Sequence, residues 1–443
     1  MSELFNNNAI NLNNVKDYVK ANVMLQCQQL AAPRLAIQGP PGVGKSDIVR
    51  EICAENGWTL TVKYLANMSL EQITGIPCKV ENGTTALWSK PELFNFDDPD
   101  CASEEYLNGN ESVKNSIPKV LLIDDFHLAD RIMQRYLFQL LTYKSLNGYK
   151  LPPNTAILLA GNRNTDKALA NPIPAPVCNR LMFIEVKSDL TDWITNFAFK
   201  NNIRNDIISY LNNRKGESIL SSEPLESGAW ASPRSWTYLS YQMDAYEKAF
   251  GKLGIQELKN MAAGLIGPEQ TSKFIEYREI FAKWDFEKLS KMNFEAVTRL
   301  FEPEVKNNPT DVYAIISAGV AWMLSVYRDA NFDHTCEKVT KALTFVYDCF
   351  IYLLTFPSGS IRRNTRPIII AGTKYIYMFQ ENVRTTNGKK VKGLLELFIK
   401  NMAQSRDCDY LFYELLASIF NITLEDEDIQ KIKEAKKKLN YEL

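Results

Sequence analysis

Eight consecutive residues, Gly39, Pro40, Pro41, Gly42, Val43, Gly44, Lys45 and Ser46, read GPPGVGKS and match the pattern G-x-x-x-x-G-K-[ST]. Glycines at those places let backbone N–H groups turn inward around a phosphate chain. A helix beginning at Lys45 adds positive partial charge at its first turn. Lys45 is placed to reach β- and γ-phosphates, and Ser46 offers a hydroxyl to Mg²⁺. About 80 residues on, Val120–Asp125 reads VLLIDD, an apolar run ending in two carboxylates. Asp124 suits the Mg²⁺ shell, and Asp125 stands where a base can polarise an attacking water. Asn162 follows a third apolar run, AILLAGN, and its amide can orient that water.

These groups work only if a scaffold brings the ends of separate segments together. Short apolar runs occur at Arg34–Gln38, Leu60–Tyr64, Lys119–Ile123, Ala156–Ala160 and Met182–Val186. Helical patterns lie between several of them, beginning with a helix over 13–31. This alternation predicts a parallel sheet with helices on both faces. Two segments break the rhythm. KVENGTTALW (Lys79–Trp88) and KSLNGYKL (Lys144–Leu151) each carry an Asn-Gly pair, which accepts positive φ at both central turn positions, so both are expected β-hairpins.

After about residue 187 the strand pattern stops. Helices are expected through Trp193–Lys200, from Ser232-Pro233-Arg234, and over Asp311–Arg328, Cys336–Thr355 and Leu394–Ala403. The implied division is an α/β nucleotide-binding domain over 1–187, a helical lid over 188–255 and a C-terminal helical domain over 256–443. The basic end QKIKEAKKKL reads as a solvated helix surface.

Bulk composition narrows the classes. The chain has 443 residues, of which 51 are Lys or Arg and 52 Asp or Glu. That balance gives no general pull toward nucleic acid or an anionic membrane. The longest apolar stretch, Phe345–Phe356, is too short to span a bilayer and carries Asp348, so a buried helix is expected. Eight scattered cysteines without a CxxC pair fit reduced thiols. His334 and Cys336 in DHTC lack a second half for a zinc site. The polar start MSELFNNNAINLNN reads as neither a secretion signal nor a transit peptide, and a cytoplasmic location is the expectation.

A connected series of motifs resembles the AAA+ ATPases, and within them the MoxR and dynein-related branch. The series runs GPPGVGKS, SLEQITGIP with WSKPEL, LLIDD, ADRIMQRYLFQLL, AGN, NRLMFIEV with DLTDW, and SPRSW, covering residues 30–245 in the family's order. GLIGPE (Gly264–Glu269) resembles the helical tail of one MoxR-like subgroup. The resemblance implies ATP and Mg²⁺ as ligands and a homo-oligomer, a hexameric ring, as the working form. It implies that Asn162 is the sensor-one residue, Arg180 an arginine finger reaching a neighbour's nucleotide, and Arg234 the sensor-two arginine of the lid. It also implies that the two hairpins face a pore or a partner, and that the partner is a protein, in related systems often one with a von Willebrand factor type A domain. The family usually has Glu where this chain has Asp125. The difference is one methylene, about 1.5 Å of reach, so slow turnover or a bridging water is its expected consequence. Two alternative expectations are a nucleic-acid-associated motor and a nucleotide-gated scaffold that hydrolyses slowly.

Overall fold

The computed structural model describes residues 9–28, 31–79, 86–163, 171–214, 220, 228–307, 309–355 and 376. The expected helix Leu394–Ala403, the basic end and the Asn82-Gly83 turn lie outside the described residues. Among the described residues the chain forms two compact units, one from 1–192 with 217–236, the other from 193–216 with 237–443.

The first unit is built on a six-stranded parallel sheet. Its strands are β1 (Ile10–Asn11), β2 (Arg34–Gln38), β3 (Thr59–Tyr64), β6 (Lys119–Asp124), β9 (Thr155–Gly161) and β10 (Leu181–Lys187), in the order β1-β10-β2-β9-β6-β3. Each of the five expected apolar runs is a strand of this sheet. Every residue of β6 and β9 is buried, as expected where a parallel sheet is covered on both faces. The short edge strand β1 has no apolar run to announce it.

Helix α1 (Val15–Gln28) packs Val15, Val19 and Val23 on one face, at the four-residue spacing of a helical stripe. One turn on, the buried Gln26 amide holds Ile157 of β9 twice. Its Nε2 donates to the Ile157 carbonyl at 2.8 Å, and its Oε1 accepts the Ile157 N–H at 2.9 Å. Helix α2 (Lys45–Asn56) covers the same sheet face through Ile48, Val49, Ile52 and Cys53. On the other face, α3 (Leu70–Thr74) and α4 (Arg131–Tyr143) bury Ile73, Leu137, Leu140 and Leu141. Ser69 caps α3 in a reciprocal capping box with Gln72.

Both hairpin expectations meet antiparallel pairs. In β4 (Pro77–Lys79) and β5 (Ala86–Trp88), Pro77 lies opposite Trp88. In β7 (Ser145–Leu146) and β8 (Tyr149–Lys150), the turn residues Asn147 and Gly148 have φ of 48° and 89°, both left-handed as that turn requires. The hairpins are tied together. Tyr149 Oη joins them by donating to the Trp88 carbonyl at 2.7 Å, and Asn147 Nδ2 ties the second hairpin to the end of α3 by donating to the Thr74 carbonyl at 2.8 Å.

At the sheet's amino-terminal edge three cations are enclosed. Arg34 and Lys119 open β2 and β6 and are buried. Lys144 follows α4 with a left-handed backbone, and its Nζ donates to the carbonyls of Gln26 and Thr155, each at 2.6 Å. Burial, with the Arg34 charge nearby, brings the Lys144 ammonium down to about 8.

Every secondary-structure element of the second unit among the described residues is a helix. The expected helix over 193–200 is instead a short α-turn, Leu190–Trp193, running into a π-helical turn, Ile194–Ala198. Phe286, Trp322 and Phe345 meet ring to ring, with centroids 6.0–6.2 Å apart. The apolar stretch from Phe345 belongs to the helix Glu337–Thr355, and Val346, Cys349, Phe350 and Leu353 are buried. Among the described residues, no helix is long and apolar enough to cross a membrane, and no cluster of metal-ligand residues occurs.

Candidate functional site

Strand β2 ends at Gln38, and residues 39–44 turn over the amino terminus of α2. Gly42 and Gly44 have φ of 78° and 102°. That left-handed backbone suits glycine, and a Cβ at Gly42 would meet Ser232 Oγ at 2.9 Å. The loop is therefore drawn tightly against the segment Ser232–Arg234. The Arg234 N–H donates to the Gly42 carbonyl at 3.2 Å. The Arg234 side chain is exposed.

Lys45 is buried, and its ammonium points into the loop. Nζ donates to the carbonyls of Gly39 and Pro40, each at 3.0 Å, and to Asn162 Oδ1 at 2.9 Å. Ser46 Oγ donates to Asp124 Oδ2 in a short hydrogen bond. Three segments read separately in the sequence thus converge: the loop and first turn of α2, the carboxyl end of β6, and the residue after β9. They converge because β9 lies between β2 and β6, with all three strands parallel. In open parallel sheets, ligand sites form beyond the carboxyl ends of the strands.

Asp124 is buried, and desolvation pushes its carboxyl above the usual carboxylate range; the hydrogen bond from Ser46 opposes this. A cation beside it would remove that penalty. Asp125 is half-buried and takes a left-handed backbone, φ 48° and ψ 33°. Its N–H donates to Asp124 Oδ1 at 2.9 Å. Asp is among the few non-glycine residues that adopt this conformation readily.

The donor set fits a magnesium nucleotide. The loop has two positive-φ glycines, a buried ammonium behind it, and a hydroxyl paired with a buried carboxylate. Such a set places backbone N–H groups and cations on phosphate oxygens and oxygen ligands on a hard divalent ion.

Arg180 stands apart from these groups. It lies in the turn just before β10, where its carbonyl accepts the Arg34 N–H at 2.9 Å. Its guanidinium lies 3.9 Å above the Phe138 ring centre. Nε donates to Thr142 Oγ1 at 2.5 Å, and Nη1 to the Pro176 carbonyl at 2.7 Å.

Several neighbours are not marked by any motif. Tyr64 ends β3 in register with Asp124. Its phenol is pushed up by partial burial, then by the charges of Asp124, Asp100 and Asp125. His127 is buried against Gly161, where a Cβ would meet its Nδ1 at 2.4 Å. Arg163, next to Asn162, pairs with Glu185 at 2.8 Å. The only advance signal for Tyr64 is its place at the end of an apolar run. His127 and Arg163 are marked only by their neighbours Asp125 and Asn162.

The parallel sheet, its phosphate-type loop between β2 and α2, and the helices that follow among the described residues make this an α/β fold with a P-loop-type turn, followed by helices. Solved structures similar to the chain include a single-substitution mutant of RuvB from Thermotoga maritima. That match covers 60% of this chain and 68% of the other, at 13% identity and a TM-score of 0.30. A second Thermotoga maritima RuvB mutant matches over 86% of this chain and 93% of its own, at 10% identity and a TM-score of 0.31. A Cytophaga hutchinsonii protein provisionally named an ATPase matches over 57% and 81%, at 14% identity and a TM-score of 0.28. No family model and no curated protein matches the chain.

Proposed function

We propose that the chain binds ATP with Mg²⁺ in the 39–46 loop and hydrolyses it as a ring-forming AAA+ motor. The observation that carries this reading is the convergence of Lys45, Ser46, Asp124 and Asn162 through direct hydrogen bonds. Lys45 would exchange its carbonyl partners for phosphate oxygens. Ser46 and Asp124 would hold the metal, which when bound neutralises charge on the phosphate oxygens. Asp125 would take a proton from the attacking water, and Asn162 would orient that water. The Arg234 backbone, bonded to the Gly42 carbonyl, would pass a change in the loop to the helix that begins at Pro233.

Among the described residues Arg180 makes no hydrogen bond or ion pair with these four residues, yet it is a half-buried arginine of the kind suited to phosphate. We assign it to the nucleotide of a neighbouring copy. That makes assembly part of the catalytic unit, and a closed homo-oligomeric ring, a hexamer by resemblance, is the working form. On the resemblance of the motif series to the MoxR branch, the motor remodels a partner protein. A partner with a von Willebrand factor type A domain is the first to try.

Calorimetry with ATP and Mg²⁺ tests the pocket, with Lys45→Ala as the control expected to lose binding. If the wild-type chain takes up no nucleotide, the motor and the ring are both wrong. Arg180→Ala should keep binding and lose turnover. A pull-down in ATP with Asp125→Asn, which would hold the bound state, tests for the protein partner.

A further inference from the structure

We infer that Phe138 and Thr142 are positioning residues for Arg180, forming a platform that presents the outer edge of its guanidinium to an anionic oxygen supplied by another copy of the chain. The inference rests on the proposal that Arg180 acts on a neighbour's nucleotide.

Phe138 and Thr142 lie four residues apart on the last turns of α4, so they share one face. The Thr142 hydroxyl donates to the Phe138 carbonyl at 2.6 Å and accepts from Arg180 Nε at 2.5 Å. With its proton committed to that carbonyl, the hydroxyl turns a lone pair to the arginine. The Phe138 ring lies under the guanidinium plane at 3.9 Å, where its negative face attracts the cation. Pro176, four residues before Arg180, accepts from Nη1. The guanidinium is thus held on one face and along its inner edge.

The opposite end is left available. Nη2 makes no hydrogen bond and Arg180 no ion pair among the described residues. A structural arginine in a fold would ordinarily meet a carboxylate; this one meets an aromatic face, a hydroxyl and a carbonyl, none of which cancels its charge. Phe138 itself remains 38% exposed, so the platform is open to an approaching molecule. A group that must meet developing charge is effective when it is held in place beforehand.

The test is steady-state ATP hydrolysis by the full chain, at several protein and ATP concentrations, for Arg180→Ala, Phe138→Leu, Thr142→Val and Phe138→Trp. Melting curves and sedimentation show which variants are folded and assembled. Arg180→Ala is expected to abolish turnover. Phe138→Leu and Thr142→Val are each expected to lower kcat about tenfold, since small misplacements at a reacting centre are costly. KM for ATP and the assembly state should not change, and Phe138→Trp, which keeps an aromatic face, should recover most of the rate. If Arg180→Ala abolishes turnover while Phe138→Leu and Thr142→Val hydrolyse at the wild-type rate, the platform is wrong and the trans arginine stands. A loss of kcat accompanied by loss of assembly also overturns it, because the two residues would then be structural. If Arg180→Ala hydrolyses normally, the parent reading fails, and the inference fails with it.

Discussion

Lys45 and Asn162, 117 residues apart in the chain, are joined by a 2.9 Å hydrogen bond from Nζ to Oδ1. The bond fixes the amide with its oxygen on the lysine, which leaves its NH₂, on the other side of the amide, as a donor for a ligand or water. A water held there would lie beside a phosphate held by Lys45. Asn162→Ala should therefore leave ATP affinity nearly intact and lower turnover by about a hundredfold, the usual cost of one positioned donor. Single-turnover hydrolysis beside equilibrium binding checks this. A variant that binds poorly but turns over normally would show that the amide serves the ground state instead.

Asp124 should trade stability for ligand. Burial holds its carboxyl above the ordinary range, so the ionised form costs folding energy at neutral pH, and the cost is relieved as pH falls through that raised value. Asp124→Asn keeps an oxygen for the Asp125 N–H and turns its NH₂ to the Ser46 hydroxyl, which can accept, while removing the charge. Without ligand, the variant should melt about 1–3 °C higher than wild type. The gap should narrow on acidification, and the extra stabilisation by ATP with Mg²⁺ should vanish. Scanning calorimetry at two pH values, with and without nucleotide, reads all three.

Asp125→Glu separates reach from backbone preference. The longer side chain carries its carboxylate about 1.5 Å further, while the left-handed backbone at this position suits aspartate better than glutamate. The variant should hydrolyse ATP faster in a single turnover and melt at a lower temperature. A rate equal to or below wild type would mean that the shorter carboxylate is already correctly placed.

Much of this arrangement is legible in the sequence, because the groups that bind phosphate sit at the ends of apolar runs. VLLIDD and AILLAGN mark β6 and β9 and the residues just beyond them. Other features could not be read. β1 is two residues long, one of them Asn11, and its pairing with β10 supplies no local pattern. Arg34 is a charged residue that opens a buried strand, and its carbonyl partner, Ala32, lies two residues earlier, outside any helix or strand. The Thr142–Arg180 contact joins the end of a helix to the turn before β10, 38 residues away, and depends on packing rather than on any local signal.

Lys144 gives a pH signature of the first unit. Its ammonium is brought down to about 8 in the folded chain, against about 10.4 when unfolded. Between those values the unfolded chain binds more protons, so this residue's contribution makes stability rise with pH. Cys27, whose thiol is pushed up by burial, contributes with the opposite sign nearby, so the comparison must be between wild type and Lys144→Met. The melting temperature of wild type relative to that variant should climb from pH 8 to pH 10. A flat difference would mean that Lys144 is solvated in the folded protein.

The contact of His127 with Gly161 ties two positions into one choice. With only hydrogen at 161, the imidazole fills the space that a methyl would need. A library randomised at 161 alone should return glycine, whereas one randomised at 127 and 161 together should return pairs in which a smaller 127 accompanies alanine or serine. Since residue 127 follows the Asp125 turn and residue 161 precedes Asn162, such pairs would shift the base and the water-orienting amide at the same time, and the two could not be tuned independently by single steps.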